Sequence, residues 1–308
     1  MTTQMVGKPI QRVEDKDLLT GKGSFTDDIK LPGTLHVAFV RAPFAHARIT
    51  GIDLDAAREL PGVHLVMAAA DLPAPAKGKR ILLQVPNPAI VDPITQEPLV
   101  SERVAFAGEA VAVVVADSRA IAEDAAEMVM VDYDPLPTVA NLAQATAPGA
   151  DKVHPHLADN VAARIHVGYG DIESAFRDAA HTVSVTLDQH RGTGNPMEGR
   201  AVLSAPNALD GGITVWSATQ APHILRRALV DMLEMAETDI RVIAPDVGGG
   251  FGPKVQAYPE EFVIPICAQM LGVPVKWIED RREHLLCTVQ ERDQTWSVEM
   301  AVDAEGKL

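Results

Sequence analysis

A glycine-rich stretch in the second half of the chain has the clearest potential for chemistry. Gly248, Gly249 and Gly250 are followed by Phe251 and Gly252. Glycine lets the backbone adopt positive φ and lets another molecule lie directly against the amide groups, which a Cβ would prevent. Amide N–H groups that converge in such a turn form a concavity for anionic oxygens. The stretch therefore predicts a binding loop, and a tight turn without a ligand is the alternative.

The common nucleotide-binding patterns do not fit this loop. A dinucleotide fingerprint placed on Gly248 and Gly250 requires glycine at position 253, where the chain has Pro253. A P-loop requires Gly-Lys followed by Ser or Thr, whereas Lys254 lies between Pro253 and Val255. Both departures argue against a nucleotide site.

A glutamine lies where a predicted strand meets a predicted helix. Residues 213–218 alternate like a strand, Gln220 follows them, and Pro222 suits the first turn of a helix. The glutamine side chain offers both a donor and an acceptor. Gln220 is therefore a candidate binding residue, and a hydrogen bond to the helix end is the alternative interpretation.

Two candidate acid–base residues lie near three glycines in residues 190–200. Arg191 and Glu198 have side chains that general acid–base chemistry can use. As a pair of opposite charges, they are more typical of an ion pair that holds this segment, and we favour that structural interpretation.

Metal-binding signals are weak. His154 and His156 lie in a polar segment with no third ligand nearby, so we interpret them as solvated. Cys267 and Cys287 are too far apart for a Cys-x-x-Cys pair, and Cys267 lies in an apolar run typical of a buried thiol. Both cysteines are interpreted as structural, and the sequence predicts no metal ligand from the protein.

Hydrophobic periodicity predicts the elements that position these residues. The predicted strands are 35–40, 63–68, 104–116, 129–133, 182–187, 201–206, 213–218, 240–244, 275–278 and 296–302. The predicted helices are 53–59, one capped by Asp117 or Ser118, one capped by Asp171, 222–235, and 259–271 ending at Gly272. Residues 73–98 form a proline-rich excursion, 207–212 a hairpin turn, and 279–284 a solvated charged turn.

The length of 308 residues predicts about two domains. We expect an extended arm over residues 1–20, a compact mixture of strands and helices over 21–140, a linker over 141–170 and a second domain over 171–308. The last predicted strand is followed by a turn at 303–306 with no return strand, which would leave an exposed edge. The second domain is therefore expected to be incomplete at its C-terminus.

Composition excludes several classes of protein. The chain is 47% hydrophobic and has 27 Lys and Arg against 42 Asp and Glu, a formal charge of −15, which argues against a nucleic-acid partner. The N-terminus has no apolar leader and no twin arginine, and no run reaches the roughly 18 apolar residues of a membrane span. The sequence predicts a cytoplasmic protein without a membrane span.

Three sequence segments together resemble one enzyme family. Residues 248–254, with 219–223 before them and 271–281 after them, are similar to the molybdopterin-binding large subunit of the xanthine dehydrogenase family, closest to its carbon monoxide dehydrogenase branch. Pro196, Met197 and Glu198 also match a segment of that family. The likeness is to the N-terminal portion of such subunits.

The resemblance implies an α+β fold. It identifies residues 21–140 as a small α/β hammerhead domain and residues 171–308 as the first part of a molybdopterin-binding α+β domain. It implies molybdenum held by the dithiolene of a pterin, as the cytosine dinucleotide. Gly249, Gly250, Phe251 and Gly252 would line this cofactor, with Gln220 beside an oxo ligand of the molybdenum. Gln220 and Phe251 are thus the candidate catalytic residues.

The resemblance also implies a reaction and partners. The reaction would be oxidation of a small molecule, such as carbon monoxide, an aldehyde or an N-heterocycle, with water as oxygen source. An iron–sulfur small subunit and an FAD-binding medium subunit would receive the electrons. Family large subunits continue to a glutamate general base beyond residue 308, so we expect no turnover by this chain alone. A second large-subunit fragment would then be a partner if the subunit is split, and the alternatives are a metal-free scaffold or a truncated fragment.

Overall fold

The computed structural model describes residues 5–83, 86–90, 94–207, 209 and 211–308. Three predicted features extend beyond these ranges. Residues 1–4 of the predicted arm, 84–85 and 91–93 of the proline-rich segment, and 208 and 210 of the hairpin turn lie outside the described residues.

Helices and strands are mixed along the chain. The strands are β1 (Leu35–Arg41), β2 (Ala47–Asp53), β3 (Val63–Ala68), β4 (Arg103–Val104), β5 (Ala110–Ala116), β6 (Met130–Pro135), β7 (His181–Gly192), β8 (Ala201–Pro206), β9 (Ile213–Ser217), β10 (Ile240–Ile243), β11 (Val275–Ile278) and β12 (Glu291–Val302). The helices are α1 (Asp15–Leu19), α2 (Asp55–Arg58), α3 (Arg119–Glu127), α4 (Leu142–Thr146), α5 (Ile172–Asp178), α6 (Pro222–Leu233), α7 (Glu260–Leu271) and α8 (Arg281–Cys287). Short 3₁₀ turns occur at Thr26–Asp28, Ala69–Asp71, Glu237–Asp239 and Pro253–Val255. This arrangement confirms the predicted α+β class.

One seven-stranded sheet joins the two predicted domains. Its strand order is β10-β9-β8-β11-β1-β5-β3, and the joint is the parallel pairing of β1 with β11, in which Leu35 lies opposite Val275. Phe39 on β1 and Trp277 on β11 pack edge to face across this joint, with ring centroids 5.7 Å apart. The first and second predicted domains therefore share a sheet and a core.

Helices cover both faces of this sheet. On β5, Val113 and Val115 join a cluster with residues of α6 and α7, whereas Ala112 and Val114 join a second cluster with residues of α2 and α3. Because side chains of a strand alternate between faces, a strand covered on both sides reads as a continuous apolar run. Residues 110–116 are all apolar because both faces of β5 are covered.

Several predicted boundaries agree with the structure. The strands predicted at 63–68 and 275–278 and the hairpin of β8 and β9 are confirmed. Ser118, one of the two predicted caps, accepts a hydrogen bond from Ile121 N at the start of α3. Asp171 caps α5, Pro222 begins α6, and Gly272 ends α7 with φ of 69°.

Other predictions are wrong. The single strand predicted at 104–116 is two strands, because the chain turns at Gly108, which has φ of 97° and packs against Leu286. Strand β2 was missed, since Ala47 is its only fully buried residue and the apolar alternation is weak. The arm over residues 1–20 and the linker over 141–170 stay predictions, and each contains a short helix, α1 and α4, the second capped by Asn141.

Strands β7 and β12 form a separate two-stranded antiparallel sheet. Both are longer than predicted, at 12 residues each. One face is apolar and exposed, and it is formed by the opposed pairs Val183–Met300, Val185–Val298 and Leu187–Trp296. No helix in the described residues combines the length and the apolar character that a membrane crossing requires.

Candidate functional site

The candidate loop lies at one edge of the large sheet. Strands β9 and β10 are adjacent and parallel, with Ile213 opposite Ile240, so their C-terminal ends lie side by side. Gln220 follows β9 and precedes α6, and the glycine loop 248–252 follows β10. In open sheets, the carboxyl ends of parallel strands are the usual place for a ligand. The fold therefore brings Gln220 to the loop, although about 30 positions separate them.

Gln220 lies directly on the loop. Its side-chain oxygen accepts a hydrogen bond from Gly252 N at 3.1 Å, which also determines the orientation of the amide. A Cβ on Gly250 would lie only 2.2 Å from Gln220 Cδ. Main-chain contacts add to this, because Gln220 N donates to Lys254 O at 2.8 Å. Position 250 therefore requires glycine for this contact.

Phe251 occupies the tip of the loop in a strained conformation. Its φ is +54° and 71% of its surface is exposed. Left-handed backbone at an aromatic residue is uncommon and costs about 1–3 kcal/mol. Within the described part of the chain, the amide nitrogens of Gly249, Gly250 and Phe251 donate to no protein acceptor. The loop thus presents an exposed ring and three free donors.

An ion pair between a buried lysine and a partly buried glutamate holds the loop. Glu198 Oε2 accepts hydrogen bonds from Gly248 N at 2.7 Å and from Lys254 Nζ at 2.8 Å. Burial lowers the pKa of Lys254, and the neighbouring Glu198 opposes this shift. No sequence signal marked this pair, because 56 positions separate the two residues.

The predicted pair of Arg191 and Glu198 is wrong. Arg191 lies in β7 and pairs with Asp293 of β12, with 2.6 Å between Arg191 Nη2 and Asp293 Oδ2. Strand β7 extends to Gly192, which carries Arg191 onto the two-stranded sheet and away from the glycine loop. Glu198 does hold a loop, but its partner is Lys254.

The predicted solvated turn at 279–284 is also wrong. Asp280 caps α8, and the side chains of Glu279 and His284 are almost completely buried. His284 Nδ1 lies 3.0 Å from Glu279 Oε2, and its Nε2 lies 2.8 Å from Gly194 O. From the sequence alone, a run of charged residues is interpreted as solvated when the residues that pair with it lie far away along the chain. Here Arg200 is the partner that the sequence does not reveal.

Arg200 is at the centre of a buried charge network. It pairs with Glu260 at 2.8 Å and with Glu279 at 2.7 Å, while Arg41 of β1 pairs with Glu260 at 2.7 Å and with Glu283 at 2.8 Å. Burial disfavours the ionised form of Glu260, but Arg200 and Arg41 outweigh it and lower its pKa to about 2. The network therefore connects the first predicted domain to the elements beneath the loop.

The remaining candidate ligands do not form a metal site. The rings of His154 and His156 are 5.9 Å apart, and the described residues hold no group of three or more His, Cys, Asp or Glu placed for a metal. Cys267 is buried, and burial raises its pKa to about 12. Cys287 is also buried and lies 2.9 Å from Glu283 O. The interpretation of both cysteines as buried thiols is confirmed.

Glu261 links α7 to β9 and should make stability depend on pH. Its side chain accepts hydrogen bonds from Ser217 Oγ at 2.6 Å and from Tyr258 N at 3.0 Å, and burial raises its pKa from 4.5 to about 7. The folded protein therefore holds this proton more tightly than the unfolded chain. The stabilisation is complete below about pH 4.5 and is lost as the pH rises to about 7.

We expect Glu261→Gln to flatten the pH dependence of unfolding in that window. The measurement is the free energy of urea unfolding from pH 4.5 to 7.5 in both proteins. Glu109, whose pKa burial also raises to about 7, is present in both, so the difference isolates Glu261. Glu299→Gln on exposed β12 is the matched control. Parallel profiles for the wild type and Glu261→Gln would contradict the prediction.

Comparison with known proteins assigns the family. A family model described as the molybdopterin cofactor-binding domain matches residues 153–308. The chain belongs to the molybdopterin cofactor-binding domain family. A second model, for the aldehyde oxidase and xanthine dehydrogenase a/b hammerhead domain, matches residues 20–137. Both matches confirm the resemblance and name the two parts of the chain that share the large sheet.

Individual relatives agree with this assignment. The nicotine 6-hydroxylase large subunit of Paenarthrobacter nicotinovorans is 38% identical, over 100% of this chain and 37% of the relative. The carbon monoxide dehydrogenase large chain of Afipia carboxidovorans is 38% identical, over 99% of this chain and 38% of the relative. The crystal structure of quinoline 2-oxidoreductase from Pseudomonas putida 86 has a TM-score of 0.87 at 38% identity, over 96% of this chain and 37% of that chain. The chain thus spans little more than a third of these relatives.

Proposed function

We propose that this molybdopterin-binding domain forms one wall of the molybdenum site in a molybdenum hydroxylase. The observation that carries the proposal is the contact of Gln220 with the bare backbone of Gly250, beside three amides with no acceptor among the described residues. Such a surface suits a group rich in acceptor oxygens. Family membership supports molybdenum–molybdopterin as that group.

The residues at the loop fit this cofactor. A Cβ on Gly252 would meet nothing within 4 Å, so this position is open to a ligand. The Cβ positions of Gly249 and Gly250 are instead filled by Phe251 with Pro196 and by Gln220, which shape the loop. Gly252 N occupies the oxygen of Gln220, so the amide nitrogen of Gln220 remains as an oriented donor. When bound, the cofactor would supply the redox chemistry. The protein's part is to orient the cofactor and to offer hydrogen bonds at fixed positions.

The names of the relatives support a proposal about the substrate. Those relatives are named for the oxidation of nicotine, carbon monoxide and quinoline, which supports a small-molecule substrate. We propose the cytosine dinucleotide form of the cofactor, cytoplasmic location, and partner subunits that carry iron–sulfur clusters and FAD. Because the chain spans 37% of its nicotine-hydroxylating relative, we also propose that turnover needs a further large-subunit segment.

The test is the molybdenum content of the chain purified with its partner subunits from a host that makes the cofactor. We expect stoichiometric molybdenum and released cytidine nucleotide in the wild type. In Gln220→Ala we expect about tenfold weaker retention, since one hydrogen bond to a charged or polar group is lost. Gln189→Ala, on exposed β7, is the matched control and should retain molybdenum. A metal-free wild type with all partners present would leave a non-catalytic scaffold as the function.

A further inference from the structure

Both ends of the glycine loop are bound by the same carboxylate oxygen. Glu198 Oε2 lies 2.7 Å from Gly248 N, at the beginning of the loop, and 2.8 Å from Lys254 Nζ, just after its end. Glu198 N also donates to Gly248 O at 3.2 Å. We propose that Glu198 is a positioning residue that closes the glycine loop and thereby orients its free amides. The role as a cofactor positioner rests on the proposed function, whereas closure of the loop does not.

Lys254 extends this contact to Gln220. Its side chain reaches Glu198, while its carbonyl oxygen accepts hydrogen bonds from Gln220 N at 2.8 Å and Thr219 Oγ1 at 3.2 Å. Gln220 in turn binds Gly252. The loop is therefore held at Gly248, Gly252 and Lys254, and only the arch between them is left free to meet a ligand.

The charge of Glu198 is needed because Lys254 is buried. The side chain of Lys254 is 1% exposed, and among the described residues Glu198 is the carboxylate that pairs with it. A buried ammonium without a counter-ion is strongly unfavourable. Loss of this one carboxylate would therefore remove the acceptor of Gly248 N and leave Lys254 uncompensated at the same time.

Close packing at Gly248 points to the same role. A Cβ at this position would lie 2.6 Å from Glu198 Cβ, closer than any real contact. The two backbones approach this closely only because residue 248 has no side chain. Within the described residues, the hydrogen bonds of Glu198 go to Gly248 and Lys254, so we assign it a positioning role and not a catalytic one.

The test measures the loop without any cofactor. The wild-type chain and Glu198→Gln are labelled with ¹⁵N-glycine, and amide hydrogen exchange is followed by NMR. We expect the exchange of Gly248 to accelerate about tenfold or more in Glu198→Gln, as for a lost hydrogen bond to a charged group. Exchange of Gly272, at the end of α7, reports on the rest of the fold and should change little. Glu173→Gln on exposed α5 is the matched control.

A second pair of variants separates positioning from stability. Lys254→Met should also accelerate the exchange of Gly248, because Glu198 loses its partner. The double variant Glu198→Gln with Lys254→Met removes the unpaired ammonium, so it should regain stability but not the protection of Gly248. This pattern would not arise from a merely structural contribution to stability.

The outcomes are distinct. If Glu198→Gln folds and its Gly248 amide exchanges at the wild-type rate, the inference is overturned. If Glu198→Gln does not fold, an exchange rate of Gly248 in Lys254→Met equal to that of the wild type overturns the inference. Molybdenum is measured separately on the co-purified complex. A molybdenum-free wild-type complex overturns the proposed function but leaves the exchange comparison valid, whereas a loaded complex with unchanged exchange overturns only the role of Glu198.

Discussion

Gly250→Ala is expected to lower molybdenum retention to about a tenth or less of the wild-type value. The new Cβ would lie 2.2, 2.4 and 2.5 Å from Gln220 Cδ, Oε1 and Cγ. Because Cγ is among these atoms, rotation of the terminal amide alone cannot relieve the clash, and overpacking of this kind costs about 1–3 kcal/mol. Either Gln220 or the loop must move, and the hydrogen bond to Gly252 is lost. The measurement is molybdenum per chain in the co-purified complex.

Two further variants make this result specific. Gly168→Ala is the control, since its Cβ would make only an ordinary 3.6 Å contact with His166. Gly250→Ala combined with Gln220→Ala removes the clash but not the new methyl group, so the loop should recover its shape without recovering full retention. Unchanged molybdenum in Gly250→Ala would show that the contact between Gln220 and the loop is not part of the site.

Arg200→Met is expected to lower the free energy of unfolding by about 3–5 kcal/mol, as for loss of one partner from a buried ion pair. The guanidinium is bound to Glu260 and Glu279 and lies 4.0 Å above the ring of Tyr258. Methionine has a similar length but no charge, so both carboxylates would remain buried and lose a partner. Urea unfolding at pH 7, monitored by tryptophan fluorescence, measures the change.

The control for this prediction is Arg191→Met. Arg191 also forms an ion pair, with Asp293, but its side chain is 50% exposed. Exposed pairs contribute little, so we expect a change below about 1 kcal/mol. Equal effects of the two substitutions would contradict the distinction between the buried and the exposed pair.

The network around Arg200 links the two domains by buried ion pairs. Arg41 comes from β1 of the hammerhead domain, and Glu260 and Glu283 come from helices of the molybdopterin-binding domain. The shared sheet places these elements side by side. Loop positions near Gly194 are fixed from the same network through His284.

The sequence by itself determined the local elements and the family. The strand at 63–68, the hairpin of β8 and β9, and α7 with its terminal Gly272 follow from short-range periodicity and caps. The glycine-rich segment and Gln220 identified the candidate site, because these motifs occur in the same order along the sequence as in the family. The sequence also indicated that glycine at position 250 lets another group approach the backbone closely, but it did not indicate that this group is the side chain of Gln220.

Only the tertiary structure decided which charges meet. Glu198 was assigned to Arg191 because that residue is near in sequence, yet the fold places Lys254 against it. Glu279 and His284 looked solvated because local sequence does not reveal distant partners. Charge–charge contacts depend on distance in space and on exclusion of water, and neither is encoded in residue spacing. One sheet runs through both domains, and its packing brings these charges close together and excludes water from them. The tertiary structure therefore determines which residues hold the glycine loop in place.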